Sequence, residues 1–250
     1  MTLAERYRAH HALTELGTPQ GALYLKPGVR GFPGVHPALP LFARRAEVEG
    51  RLLDASGTAG ALALLSGLTS LAEGVTVLEP SRAGLRCALT TFRDRPGVGV
   101  QAGLPWDAPP ASCETACLLP ATDRGSVRVR AEVAGACRAL TPDGTLYAAM
   151  HKDHGAKRYE KELAARFAHA EVVAREGGWR LVRAQGPLEP DRRAESAPLE
   201  FEGLHFEAAG LNLEAEPGVY AAGKLDPGTG FLLEHYPPRA LTGRRALDLG

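Results

Sequence analysis

From residue 51 to residue 183 the chain alternates short apolar runs with longer amphipathic segments, and this alternation leaves few architectures open. Arg51-Leu52-Leu53-Asp54-Ala55, Val75-Thr76-Val77-Leu78-Glu79, Val98-Gly99-Val100-Gln101, Thr115-Ala116-Cys117-Leu118-Leu119 and residues 145–150 read as strands. Residues 61–65, 82–92, 127–140 and 157–167 read as helices between them. Continuously apolar strands are buried on both faces, and helices between them call for a mostly parallel sheet covered on both sides. Glu171-Val172-Val173-Ala174-Arg175 and Trp179-Arg180-Leu181-Val182-Arg183 flank Glu176-Gly177-Gly178, which reads as a closing antiparallel hairpin. In the 127–140 helix the pattern turns Val129, Val133 and Ala136 inward and Arg128, Arg130 and Glu132 outward.

The expected fold is therefore α/β: a doubly wound, mostly parallel, seven-stranded Rossmann-like sheet of the methyltransferase variant, ended by the antiparallel hairpin. Residues 1–184 form the first domain, with a basic leader over 1–49 and the sheet core over 50–184. Residues 185–216, rich in Pro, Glu and Gly, are the expected linker, with weak strand signals at Leu199-Glu200-Phe201 and Leu204-His205-Phe206. Residues 217–250 are expected to start a second such domain, because Arg245-Ala246-Leu247-Asp248 is the same kind of strand as Arg51-Leu52-Leu53-Asp54, 194 residues on. A strand ending Leu247-Asp248-Leu249-Gly250 normally opens a cofactor loop. The expectation is that the rest of that domain lies beyond Gly250, and that residues from 217 onward are poorly packed without it.

Lys plus Arg and Asp plus Glu both number 29, so no overall basic field argues for nucleic acid. The charge is uneven: residues 1–45 carry six Lys/Arg against two acids, residues 185–217 two Arg against eight acids. The four cysteines, with Cys113 and Cys117 four apart, match no zinc spacing and read as small core thiols of a reduced, cytoplasmic protein. No apolar run is long enough to span a membrane, and the N-terminus lacks a signal-peptide core.

The first candidate site is Asp54-Ala55-Ser56-Gly57-Thr58-Ala59-Gly60. A working adenosylmethionine loop places small residues two, four and six positions after the acid, so that the backbone can approach the ligand. Here those positions hold Ser56, Thr58 and Gly60, with Gly57 out of register. Glu79 ends the second strand, where an acid binds ribose hydroxyls. Asp54, Gly57, Gly60 and Glu79 are thus either a vestigial site, now only a turn, or one that still binds. Leu118-Leu119-Pro120-Ala121-Thr122-Asp123 offers one proline, no Asn and no aromatic, so the clamp that holds a target amino group is missing and no catalytic residue is assigned. His151-Lys152-Asp153-His154 reads as a polar loop sooner than a metal pair, and no metal is expected. Lys157, Arg158 and Lys161 either face phosphates or form a solvated face beside Glu160 and Glu162. Lys26, Arg30 and Phe32 lie in a glycine-bearing loop that combines cations with an aromatic, as RNA contact by phosphate and stacking requires. Packing of Phe32 on the domain edge is the other reading.

The stretch from Glu216 to Glu234 places an aromatic, Leu225-Asp226 and Gly228-Thr229 shortly before the Leu-Asp-Leu-Gly strand, the order of a cofactor lid. With the Lys26-to-Phe32 segment, Leu78-Glu79-Pro80-Ser81-Arg82 and the 217–226 stretch, the chain resembles the C-type methyltransferases of small-subunit ribosomal RNA, which modify the exocyclic N2 of a guanine. The resemblance implies two tandem methyltransferase-like domains. The first has lost its cofactor site and supports RNA recognition and the catalytic domain; the second binds S-adenosylmethionine and catalyses. It would put Tyr220, Asp226 and Thr229 beside the cofactor, with Asp248 and Gly250 opening its loop. The implied partner is ribosomal RNA or the small subunit, with no membrane and no metal. The alternative is a complete, non-catalytic RNA-binding or ribosome-assembly module with a vestigial fold.

Overall fold

The computed structural model describes residues 2, 5, 11–188, 205–208, 210–221 and 223–235. It forms two compact units, residues 1–199 and 200–250. The first opens with a hairpin of β1 (Thr14–Thr18) and β2 (Gly21–Leu25), followed by helix α1 (Leu39–Arg45). Then come β3 (Arg51–Ala55), α2 (Ala61–Leu65), β4 (Gly74–Glu79), α3 (Arg82–Thr91), β5 (Val98–Ala102), β6 (Cys113–Leu118) and α4 (Ser126–Ala139). The unit ends with β7 (Leu140–His151), α5 (Ala156–Arg166), β8 (Phe167–Glu176) and β9 (Trp179–Pro187).

The sheet has seven strands in the order β5-β4-β3-β6-β7-β9-β8. All neighbouring pairs from β5 to β7 are parallel, and β9 runs antiparallel to both β7 and β8. The chain travels outward from β3 to β5 and then returns to β6 on the other side of β3. The strand order therefore reverses between β3 and β6, and a doubly wound sheet opens its ligand crevice at the carboxyl ends of such a pair.

Successive residues of the central strands feed opposite faces. Leu52, Cys117 and Tyr147 pack with Leu23, Leu25, Phe42, Leu62, Leu64 and Phe92 on one face. Leu53, Ala116, Leu118 and Leu146 pack with Val129, Val133, Ala136 and Leu163 on the other. The period of two with both phases buried is the signature of a sheet sandwiched between helix layers. All four cysteines are free and buried.

Two sequence expectations are corrected here. Glu132 is buried rather than outward, because it accepts a hydrogen bond from the Ala121 amide at 2.8 Å and pairs with Arg128 at 2.7 Å. A helical wheel assigns carboxylates outward and cannot register a backbone donor arriving from another element. Residues 141–144, between the helix expected to end at 140 and the strand expected to start at 145, lie within β7; pairing with β6 breaks between Cys113↔Leu140 and Thr115↔Thr145, so they are absorbed as an irregularity of the ladder.

From Leu23 onward the stretch read as a basic leader contributes to this core. Leu23, Leu25, Val29, Leu39, Leu41 and Phe42 are buried. The Tyr24 amide donates to Thr91 Oγ1 at 3.0 Å, the Glu47 amide to the buried Tyr147 hydroxyl at 3.1 Å, and the Glu49 amide to Thr115 Oγ1 at 3.1 Å. These bonds tie the segment to α3, β7 and β6.

The second unit repeats the opening of the first. Strands β10 (His205–Ala208) and β11 (Leu211–Glu214) form a hairpin, a loop follows, and α6 spans Pro227–His235. Pro27-Gly28-Val29 recurs 190 residues later as Pro217-Gly218-Val219, and His36-Pro37 as Asp226-Pro227. The backbones agree: Gly28 has φ +92° and Gly218 φ +91°. Val29 donates to the Lys26 carbonyl at 3.1 Å as Val219 does to Glu216, and Gly34 to Gly31 at 3.0 Å as Lys224 does to Ala221. In the first copy the apolar side chains are buried. In the second, Val219, Tyr220, Phe231 and Leu232 are exposed and α6 has no buried residue. The strand signal at Leu199-Glu200-Phe201 lies outside the described residues.

Candidate functional site

The carboxyl ends of β3 and β6 bound the switch-point crevice of the first unit. Asp54, at the end of β3, is fully buried. One of its oxygens accepts the Ser56 amide and the other the Ala63 amide, both at 3.0 Å. The carboxylate therefore holds the loop and the start of α2. Burial raises its pKa, against the opposing pull of those donors. Ser56 Oγ and Thr58 Oγ1 share a hydrogen bond of 2.7 Å, and the Leu62 amide donates to Thr58 Oγ1 at 3.2 Å. Gly57, Ala59 and Gly60 all have positive φ, so the strained path of a ligand loop is kept. A Cβ on Gly60 would lie 2.2 Å from the Phe92 ring. The ring covers the last small residue of the loop.

Glu79 ends β4 and is 2 % exposed. Neither of its carboxyl oxygens has a hydrogen bond of good geometry, although the backbone N–H groups of Ala59 and Gly60 lie close enough to act on it. Burial pushes its pKa up to about 8, the nearby Asp54 carboxylate adds to the rise, and the amide dipoles of Ala59 and Gly60 and the Arg30 charge partly oppose it. Gly84 leaves the carboxyl its room, since a Cβ there would sit 2.0 Å from Oε2.

Arg30 enters the crevice from the loop after β2. Its Nη1 donates to the Ser56 carbonyl, just past β3, at 3.2 Å, and to the Leu119 carbonyl, just past β6. One guanidinium thus spans the two strand ends between which a ligand would lie. The same charge, after burial, lowers the pKa of His36 to about 4. The residues present do not fit adenosylmethionine. The loop's polar groups are consumed within the chain, and Arg30 would set a cation against the sulfonium. Glu79 alone keeps the polarity and the free oxygens of a ribose site.

Of the other residues singled out from sequence, Lys26 is buried and its Nζ lies 3.4 Å from His11 Nδ1. Phe32 packs against the core cluster that contains Val29. Arg158 pairs with Glu162 at 3.9 Å, and Glu160 is drawn to Arg180 at 2.8 Å. His151 lies edge-on to Trp179 with ring centres 5.1 Å apart. In the second unit, Asp226 accepts the Thr229 amide at 2.8 Å and the Thr229 hydroxyl at 2.9 Å. The Thr229 donors hold the Asp226 carboxyl below its usual range. This is the N-terminal cap of α6, with Pro227 as its first residue. Tyr220 is exposed. Asp248 and Gly250 lie outside the described residues.

The strand order, the single antiparallel strand β9 and the acids ending β3 and β4 define the sheet of an adenosylmethionine-dependent methyltransferase. No family model matches the chain. A T. thermophilus 16S rRNA N2 G1207 methyltransferase, solved with AdoMet and guanosine, is similar over 91 % of the chain at 33 % identity and a TM-score of 0.72. The ribosomal RNA small subunit methyltransferase C of Chromohalobacter salexigens is 58 % identical over 48 residues, which make up 18 % of the chain. The chain spans 58 % of the length of the first protein, and the match covers 14 % of the second. The chain carries the fold of the C-type small-subunit rRNA guanine-N2 methyltransferases. Among the described residues, no helix is long and apolar enough to cross a membrane.

Sequence reasoning placed Arg30 on an RNA-facing loop and missed the crevice it fills. A readable signal was present. Aligning the two Pro-Gly-Val copies sets Arg30 against Tyr220, His36 against Asp226 and Leu39 against Thr229. In the first copy His36 Nδ1 accepts the Ala38 amide at 3.3 Å, whereas in the second Asp226 accepts both the amide and the hydroxyl of Thr229.

Proposed function

We propose that this chain is the N-terminal part of an S-adenosylmethionine-dependent rRNA (guanine-N2)-methyltransferase. The first unit serves RNA recognition and supports the catalytic domain, and it does not bind the cofactor itself. The observation that carries this reading is the Arg30 guanidinium on the Ser56 and Leu119 carbonyls, which fills the crevice where a methyl donor would lie. The side of β6 that should present an acceptor clamp offers Leu119, Pro120 and Ala121, all buried. In this reading cofactor contact belongs to the module of Tyr220, Asp226 and Thr229 together with Asp248 and Gly250. The repeat supports it, because the second copy keeps an aromatic and an acid where the first has Arg30 and His36. Alignment of donor and acceptor amine would supply most of the catalysis.

Calorimetry on the 250-residue chain tests the reading. The expected result is no heat with adenosylmethionine at millimolar concentration, together with salt-dependent binding of a small-subunit rRNA transcript. Tight cofactor binding that is abolished by Glu79→Ala would place a live site in the first sheet and overturn it.

A further inference from the structure

The outer face of α3 carries a stripe that the cofactor reading does not use. Arg82, Arg86, Leu89 and Arg93 are exposed and follow one another at spacings of four, three and four residues. In an α-helix and its continuation, such positions lie one above another on a single face. Leu85 and Thr90 complete a shallow groove between them. No acid occurs from Pro80 to Arg93. Arg82, Arg86 and Arg93 have no ion pair among the described residues, whereas Arg158 on α5 is paired and Glu160 is held by Arg180. The chain carries 29 cationic and 29 anionic side chains in all, so three neighbouring arginines without an ion pair among the described residues are a local excess on a neutral protein, with Asp94 the next acid along the chain. The opposite side of the same helix is anchored: Cys87 and Ala88 are buried, and Thr91 accepts the Tyr24 amide. The stripe therefore sits on a rigid element.

We propose that this face of α3 is an RNA-docking surface, in which Arg82, Arg86 and Arg93 touch successive backbone phosphates and Leu89, 51 % exposed, lies against sugar or base. The proposal rests on the rRNA reading above and names the surface that performs recognition in it. The loop cations do not fill this role, since Lys26 and Arg30 are turned inward. A polyanion is the partner this surface fits. Planar guanidinium groups match phosphate geometry, and an apolar side chain between them suits the sugar edge better than a free ion.

The test measures binding of a small-subunit rRNA transcript to the full 250-residue chain across a salt series. Removing one arginine–phosphate pairing flattens the log–log salt dependence by about 0.7–0.9. The Arg82→Gln/Arg86→Gln/Arg93→Gln variant is expected to flatten it by roughly 2 to 3, with an unchanged circular dichroism spectrum and melting midpoint. A Lys157→Gln/Arg158→Gln/Lys161→Gln variant on α5 is expected to keep the wild-type slope. If wild type binds and the α3 variant retains its slope, the docking surface is wrong while the rRNA reading stands. If wild type does not bind at all, the rRNA reading fails and takes this surface with it. Should the triple variant unfold, Arg86→Gln alone, expected to flatten the slope by the amount of about one phosphate pairing, decides the matter in the same way.

Discussion

Arg30 Nη1 donates at once to the carbonyl of Ser56 and to that of Leu119, which lies 89 residues beyond Arg30 in the chain. This bridge closes the crevice between β3 and β6 from within. Removing it leaves two carbonyls of the crevice to find other donors. Arg30→Ala is expected to cost about 1–3 kcal/mol. The melting midpoint should fall by roughly 2–4 °C for each kcal/mol of destabilisation. Arg30→Lys should recover part of the loss, because both bonds come from the single nitrogen Nη1 and an ammonium also carries several donors, on a differently shaped side chain. A midpoint equal to wild type in the alanine variant would show that the bridge contributes nothing.

Glu79 makes stability depend on pH in a direction opposite to that of most acids. Its folded pKa is about 8 against 4.5 for the free side chain. Between those values the native state keeps a proton that the unfolded chain has released, so stability falls as pH rises and levels off above about 8. Glu79→Gln has no such proton to release. The stability of the variant relative to wild type should rise from pH 5 to pH 8, by at most about 1.4 kcal/mol per pH unit. Urea titrations at several pH values check this, and parallel profiles for the two proteins would refute the assignment.

The fold was legible because both phases of β3, β6 and β7 are apolar. Leu52 with Leu53, Ala116 with Cys117 and Leu146 with Tyr147 require cover on two faces whatever the loops do. The acids Asp54 and Glu79 were legible for the same reason, since each ends an apolar run. What escaped depends on residues far apart in sequence. Arg30 looks like a loop cation until Leu119 is brought beside it. Glu132 looks solvent-facing until the Ala121 amide arrives. The β1–β2 hairpin mixes polar and apolar residues over only five positions per strand, too few for a periodic signal. Its second copy, β10–β11, left a trace in the repeated Pro-Gly-Val.

Gly135 faces the turn at Pro105-Trp106-Asp107. A Cβ there would lie 2.4 Å from the Trp106 nitrogen and 2.7 Å from the Pro105 carbonyl carbon. Both obstacles are backbone, so α4 would have to move off the turn. Gly135→Ala should destabilise by about 1–3 kcal/mol despite the better helix propensity of alanine. Gly17→Ala is the control. It has open space and an ordinary φ, so its effect should stay within about 0.5 kcal/mol. Equal melting midpoints for the two variants would contradict this packing.

Glu132 binds two partners from one buried position. Its Oε2 accepts the Ala121 amide at 2.8 Å, and its Oε1 accepts Arg128 Nε at 2.7 Å, with the Arg128 guanidinium 4.8 Å from the Trp106 ring centre. Cutting the carboxylate takes the acceptor from a buried amide and the counter-charge from a largely buried cation, which is costlier than breaking an exposed pair. Glu132→Ala should cost about 3 kcal/mol or more. Glu132→Gln should cost less, because the amide oxygen still accepts from Ala121 while the charge is removed. Arg128→Ala in the Glu132→Ala background should cost less than in wild type, giving a coupling of about 1 kcal/mol or more. Denaturant unfolding of the four proteins in the cycle measures this, and strict additivity would mean that Arg128 and Glu132 hold the end of β6 independently.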